Sequence, residues 1–188
     1  MTKYILHGGA TSKDSPDNKK FFNEAMSSLP DQAVILFVYF AREKELWPKM
    51  LEQDKLHFSP TDKQKVFNFT IADDKISNLI EQIKKADLIY LRGGQTDRLK
   101  DTLSKVKNLG GLLKDKVVVG SSAGAYVLSR YYYTNSKDII LNGLDILPIK
   151  TFCHYSEEKA DKLDKLKQYE ENLKVYAIPE EKFFIIEV

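Results

Sequence analysis

Val117-Val118-Val119-Gly120-Ser121-Ser122-Ala123-Gly124-Ala125 decides how this chain is read. The valines spell a short buried strand, Val117–Gly120, and Tyr126–Arg130 beyond it reads as a helix. Glycines two residues either side of Ser122 permit a sharp strand-to-helix turn, the nucleophile elbow, which exposes a serine hydroxyl. The same turn aims the next backbone N–H groups at the space in front of that hydroxyl. A helix N-terminus favours negative charge there by about 0.3–1 kcal/mol. Ser122 is the central serine, and Ser121 is a small filler of the turn. An inert Gly-Ser turn would look the same, so the question becomes whether a base shares its rim.

Outward from the elbow, apolar runs alternate with amphipathic stretches. Lys3–His7 reads as a strand ending in Gly8-Gly9. Asp17–Leu29 reads as a helix, with Phe21, Phe22, Ala25, Met26 and Leu29 on one face. Ala33–Ala41 is apolar throughout, as in a strand buried on both faces of a parallel sheet. Glu43–Leu56 follows as a helix in which Pro48 is tolerable only near the start. Lys65–Ile71 (strand), Ile76–Lys85 (helix), Leu88–Leu91 (strand) and Thr96–Val106 (helix) lead to the elbow strand. This rhythm predicts a mostly parallel central sheet with helices on both faces and right-handed crossovers. Beyond the elbow, Ile139–Leu141, Ile149–Phe152, Lys174–Ile178 and Phe183–Glu187 read as strands, and Glu157–Asn172 as a charged helix. We expect one domain over residues 1–188, with the ligand site beyond the carboxyl ends of the strands, where the Gly-rich turns crowd one rim.

Composition closes off other classes. Hydrophobic residues make up 43% and charged residues 30% of 188 residues, a globular balance rather than a disordered one. Lys+Arg 29 against Asp+Glu 27 gives +2, too little for a dedicated nucleic-acid binder. The lysines have acids nearby, as in Lys162-Leu163-Asp164-Lys165, which reads as a solvated surface. A single cysteine, Cys153, excludes an intrachain disulfide framework and suits a reducing compartment. No apolar run approaches the ~18 residues of a membrane span, and the N-terminus has too short an apolar stretch for a signal peptide. The expectation is a cytoplasmic protein, with no membrane or nucleic-acid partner and oligomeric state unreadable.

An elbow serine needs a base, and the chain has only three histidines. His57, between Lys55 and Phe58, reads as surface or packing. His7 ends the first strand, where it either lines the rim or has a structural strand-end role. His154 follows the strand Ile149–Cys153, downstream of the elbow, and is the better base. Cys153 beside it faces the opposite side of a strand and reads as core. The base wants an orienting acid. Of Asp138, Asp145, Glu157, Glu158, Glu180 and Glu181, only Glu180, in Ile178-Pro179-Glu180-Glu181, ends a strand at the same rim. The turn Arg92-Gly93-Gly94-Gln95-Thr96 closes the preceding strand. Its glycines let backbone approach a reacting carbonyl closely, or else form a plain turn with Thr96 as helix cap.

These pieces occur together in one family. Gly93-Gly94-Gln95-Thr96, Gly120-Ser121-Ser122-Ala123-Gly124-Ala125, Asn142-Gly143-Leu144 with Leu147 before His154-Tyr155, and Ile178-Pro179-Glu180 resemble the motifs of the dipeptidase E and cyanophycinase serine peptidases, peptidase family S51. The resemblance implies a three-layer flavodoxin-like sandwich of the class I glutamine amidotransferase type. It implies Ser122 as nucleophile, His154 as base, Glu180 as third member, and the Gly94 and Ala123 amides as oxyanion donors. Gly93, Gln95, Thr96 and Tyr155 would line the substrate. No metal or cofactor is implied, and the partner is a small peptide. Dipeptidase E holds an aspartate side chain with an arginine after its histidine. Here Glu157–Asn172 has Lys162, Lys165 and Lys167 but no arginine, so aspartyl preference is not carried over. Two other readings stand beside this one. A non-catalytic or differently specific binding module could use the same scaffold. An α/β-hydrolase esterase would use His7-Gly8-Gly9-Ala10 as oxyanion turn and Asp138 or Asp145 as acid.

Overall fold

The computed structural model describes residues 1–60, 62 and 64–188. The first half runs β1 (Lys3–His7), α1 (Pro16–Met26), β2 (Gln32–Val38), α2 (Trp47–His57), β3 (Val66–Ile71), α3 (Ile76–Lys85), β4 (Leu88–Leu91) and α4 (Thr96–Leu103). After the short α5 (Leu109–Leu112) come β5 (Val117–Ser121) and α6 (Ala123–Leu128). The chain then runs β6 (Ser129–Thr134), β7 (Ile139–Asn142), β8 (Leu147–Cys153), α7 (Ala160–Gln168), β9 (Lys174–Ile178) and β10 (Phe183–Glu187).

Six strands form the central sheet in the order β10-β1-β5-β4-β2-β3. All neighbours are parallel except β10, which returns antiparallel along β1 with Lys3 opposite Glu187. The alternation of side chains along each strand sorts the core into two faces. Val117 and Val119 join Phe37, Tyr90 and the α1 residues Phe21, Phe22 and Ala25 on one face. Val118 between them joins Leu36, Ile89 and Leu91 against Leu79 and Ile83 of α3 and Leu99 of α4 on the other. The result is the three-layer α/β sandwich with a mostly parallel central sheet. Each fully buried aliphatic or aromatic side chain stabilises it by about 1.5–3 kcal/mol.

The ends of the elements depart from expectation for identifiable reasons. Ser15, not Asp17, opens α1: its hydroxyl accepts the Asn18 N–H, and Pro16 sits in the first turn where its missing donor costs nothing. Pro48 likewise falls in the first turn of α2. The helix expected over Tyr126–Arg130 is Ala123–Leu128 instead. The helix ends at Leu128, and Ser129-Arg130-Tyr131-Tyr132-Tyr133-Thr134 is a strand, as its aromatic and β-branched content favours. The charged helix is a 3-10 turn, Glu157–Lys159, followed by α7.

β6 belongs to a second sheet, β7-β6-β8-β9, that the sequence did not announce. One of its faces shares the core beneath α6 through Tyr132, Ile149 and Tyr176. Its other face, with Tyr133 and Phe152, is covered by Leu166 of α7. β8 and β9 are parallel neighbours, so the loops that follow them, with His154 and Glu180, leave in the same direction. No helix among the described residues is long and apolar enough to cross a membrane.

Candidate active site

Ser122 sits at φ 48°, ψ −104°, between β5 and α6. A non-glycine residue so far from the favoured regions costs on the order of 1–3 kcal/mol and persists only where its surroundings dictate it. Here its N–H donates to the His7 carbonyl at 2.9 Å, and the Tyr126 N–H donates to its own carbonyl at 3.0 Å. The flanking glycines are required by close approach. A Cβ on Gly124 would lie 2.1 Å from the Leu91 carbonyl oxygen, and one on Gly120 would lie 2.7 Å from the Gly124 carbonyl carbon. Ser121 is buried, as expected of a filler.

The Ser122 Oγ lies 2.9 Å from Nε2 of His154, and the His154 Nδ1 lies 3.0 Å from Oε1 of Glu180. The loop after β1 holds this arrangement. The Gly8 carbonyl accepts the His154 N–H at 3.0 Å, and the Gly9 carbonyl accepts the Glu181 N–H at 3.0 Å. From the other side, Tyr126 bridges the residue before the histidine. Its hydroxyl accepts the Cys153 N–H at 3.1 Å and donates to the Cys153 carbonyl at 3.2 Å. The hydrogen bond to His154, with a second from Lys13 to Oε2 at 3.1 Å, holds the Glu180 carboxyl below the usual carboxylate range. An ionised Glu180 calls for a proton on Nδ1, which leaves Nε2 free to accept the serine proton.

His7 does not line the rim. It is fully buried under the elbow, with its ring on Phe21. The Gly9 N–H donates to its Nδ1 at 3.1 Å, so Nε2 carries the proton and donates to Asn18 Oδ1 at 3.0 Å. The Asn18 amide in turn donates to the carbonyls of Ala10 and Lys13, at 2.9 Å each, and so fixes the Gly8–Lys13 loop. Burial pushes the His7 pKa from 6.5 down to about 4. The folded state therefore binds fewer protons than the unfolded chain, and stability present above pH 6.5 is lost as pH falls toward 4, about 3 kcal/mol in all. Asp54, which burial raises from 3.8 to about 6, works in the opposite direction below pH 6. The His7 contribution is isolated by comparing wild type with His7→Gln. Urea unfolding at pH 6.5 and pH 4 should show wild type losing about 3 kcal/mol more than the variant. Parallel pH profiles would exclude the assignment.

The Gly93-Gly94 turn lies beside the serine: a Cβ on Gly93 would sit 3.2 Å from the Ser122 Cβ. Arg42, just after β2, donates from Nε to the Gly93 carbonyl at 2.7 Å. In a trans peptide the carbonyl and the following N–H point in opposite directions, so this bond turns the Gly94 N–H away from Arg42. Gly94 has φ +156°, and a Cβ there would lie 2.4 Å from the Ala41 carbonyl oxygen. Ala123 opens α6 immediately after the serine.

Two cavities meet at Ser122, and both are lined by Gly94 and His154. The larger, about 610 Å³, is walled by Gln95, Thr96, Tyr126, Tyr132, Asn135 and Lys159. The smaller, about 420 Å³, is walled by Thr11, Ser12, Arg42, Arg92 and Gly93. Tyr155 lines neither. It packs on Phe152 and its hydroxyl reaches Glu157. Lys162 is drawn to Asp138 and Lys167 to Asp164. It is Lys159 that enters the larger cavity, with its ammonium 2.5 Å from the His154 carbonyl. Asp138 is engaged by Tyr133 and Lys162, and Asp145 by Arg130, so neither serves as the partner of His154. His57 stacks on Phe22. Cys153 is buried, and its thiol is pushed well above its ordinary pKa by desolvation. The sequence reading missed Arg42, Lys159 and the Thr11-Ser12 wall. Arg42 was within reach of the strand-end rule, since it follows a parallel strand at the same rim.

The site is thus a strained serine elbow at the carboxyl rim of a mostly parallel sheet in an α/β sandwich. The profile of Peptidase family S51 matches residues 4–187, and the chain belongs to that family of peptidases. Two solved structures share its fold. One is a peptidase from an acI-B1 Actinobacterium, with TM-score 0.70 and 18% identity over 99% of this chain and 83% of that one. The other is a candidate peptidase E protein from Listeria monocytogenes EGD-e, with TM-score 0.66 and 20% identity over 99% of this chain and 94% of that one. No curated protein matches the chain.

Proposed function

We propose that this chain is a serine-type peptidase that hydrolyses small peptides through Ser122, His154 and Glu180. The observation that carries the reading is the unbroken hydrogen-bonded line from Ser122 Oγ through the His154 ring to Glu180, at 2.9 and 3.0 Å. Catalysis by such a line runs as acyl transfer. The hydroxyl oxygen attacks the peptide carbonyl while Nε2 takes its proton. The oxyanion forms against the amides of Gly94 and Ala123, and a donor of this kind is typically worth about 10²–10³ in kcat. His154 then protonates the leaving amine, the C–N bond breaks, and an acyl-serine remains. Water, deprotonated by the same nitrogen, releases the acid. Glu180 keeps the imidazole in the required tautomer and stabilises the imidazolium. No step calls for a metal or an organic cofactor.

A fluorophosphonate probe tests the reading. Ser122 should be labelled in the wild-type chain and label should be lost in Ser122→Ala, with hydrolysis of members of a dipeptide panel lost in parallel. Absence of both labelling and hydrolysis would leave the scaffold as a binding module instead.

A further inference from the structure

The smaller cavity has a chemistry that the triad does not use. Beside Ser121, Ser122 and His154, its wall contains two arginines, the Thr11 and Ser12 hydroxyls and backbone, but among the described residues no carboxylate. The arginines are not equivalent. Arg92 is nearly buried, and its Nη1 pairs with the buried Asp54 at 2.8 Å. Tyr39 donates to the same carboxylate at 2.8 Å, and Arg92 is tied further to the Met50 carbonyl and to Gln53. Its charge is therefore matched within the protein. Arg42 is exposed, and among the described residues it has no acidic partner: Glu43 beside it is taken by Arg98. The one hydrogen bond its guanidinium makes among these residues uses Nε, directed at the Gly93 carbonyl. The other edge of the guanidinium, Nη1 and Nη2, meets no partner among the described residues. That edge is a planar two-donor fork matched to a carboxylate.

We propose that the smaller cavity is a carboxylate subsite, in which the free edge of Arg42 grips a carboxylate on a residue flanking the scissile bond. Arg92 provides a fixed positive wall and the Thr11 and Ser12 hydroxyls supply further donors. The inference rests on the peptidase reading for its placement beside the bond to be cut. Three things support it. The net positive charge is unmatched and lies at Arg42. The fork is pre-oriented, because Nε is already committed to Gly93. The cavity shares Gly94, Ser122 and His154 with the larger one, so a peptide bound across the serine has this cavity open to one of its halves. At about 420 Å³ it has the size of a small-ligand site. It is distinct from the lysine side of the site, since Lys159 lines only the larger cavity. Arg42 thus joins two tasks, because the guanidinium that holds the substrate carboxylate also holds the Gly93–Gly94 peptide.

The carboxylate can come from the C-terminus of the departing residue or from an acidic side chain, and two peptide pairs separate these sources. Ala-Leu against Ala-Leu amide varies only the terminal carboxylate. Asp-Leu amide against Asn-Leu amide varies only the side chain. Each is measured by calorimetric binding to the Ser122→Ala protein and by kcat/KM in the wild-type chain. One pair should show the acid preferred over its neutral partner by about 10- to 100-fold, the range of a charge-assisted hydrogen bond. Arg42→Gln should reduce that preference to within about twofold, and Arg42→Lys, which keeps the charge but not the fork, should fall between. Each preference is a ratio within one protein, so any general loss from disturbing Gly93 cancels. A preference that survives Arg42→Gln, or no preference in either pair, overturns the subsite. Binding that shows the Arg42-dependent preference without any hydrolysis would uphold the subsite while sinking the peptidase reading. Arg92 is left unchanged because removing it would strand the buried Asp54 charge.

Discussion

Ser122→Ala should fold as the wild-type chain does and lose about 10⁶ in kcat on any peptide the wild-type chain cleaves, the scale set by removing the nucleophile of a serine triad. The fold should survive because the hydroxyl takes no part in either face of the core. Ser122 is held in place by its backbone, through the bonds to His7 and from Tyr126, and alanine keeps both. The strain at φ 48° is the same for either side chain. The comparison gains force from a ladder of variants at the acids. Glu180→Gln should cost about 10²–10⁴, because the amide cannot stabilise the imidazolium and disturbs the tautomer. Asp138→Asn should be nearly silent, since Asp138 faces Tyr133 and Lys162 rather than His154. Steady-state kinetics on one peptide, with unfolding midpoints alongside, reads all three. A larger loss for Asp138→Asn than for Glu180→Gln would move the acid before the base in chain order and favour the esterase arrangement. A Ser122→Ala protein within tenfold of wild type would remove the nucleophile from the serine altogether.

How far the sequence reached depended on which physical rule was local. The elbow is a local matter. Valines, two glycines and a serine in fixed positions leave the backbone little choice, and the turn lies where it was read. The parallel sheet was equally plain, because strands buried on both faces are apolar throughout. His154 and Glu180 could be aligned with the rim because each follows a strand, but nothing in the sequence says that β8 and β9 are neighbours. Their pairing depends on a second sheet whose first strand begins where a helix was expected. Tyr126 to Arg130 contains residues that serve either state, and the choice was made by the buried contacts of Tyr132 and Tyr133 with the two layers beside them. The family resemblance placed Tyr155 against the substrate. Its ring turns instead to Phe152, since the backbone is left-handed at His154 and sends Tyr155 off in a new direction. Arg42 and Lys159 were invisible for a different reason. Both are surface residues by composition, and only the meeting of loops from separate strands gives them a cavity to face.

Gly9→Ala should silence the site without unfolding the protein. Gly9 has φ +117°, and the Cβ of an alanine there would stand 2.1 Å from Cε1 of His154, 2.7 Å from Nε2 and 2.8 Å from Nδ1. Ordinary contact lies at 3.4–4 Å, so the ring must move by more than 1 Å. It can do so, because it is a side chain at the edge of the cleft. That movement breaks the link to Ser122 and the link to Glu180 together. The loss in kcat should lie between about 10²-fold, the cost of misplacing a reacting group by 1 Å, and about 10⁶-fold, the cost of removing the base. Gly8→Ala is the informative neighbour. There the added carbon would lie 1.9 Å from the Pro179 carbonyl oxygen and 2.5 Å from that of Ile178. These are backbone atoms at the end of β9, and no rotamer relieves the clash. Gly8→Ala should therefore lower the unfolding midpoint and the yield of folded protein, whereas Gly9→Ala should cost only the backbone strain of an alanine at φ +117°, about 1–3 kcal/mol, while abolishing fluorophosphonate labelling. Wild-type labelling rates in a folded Gly9→Ala protein would mean that the His154 ring is not where the reaction needs it. The contrast arises because one glycine yields space to a side chain that can swing away and the other to a backbone that cannot.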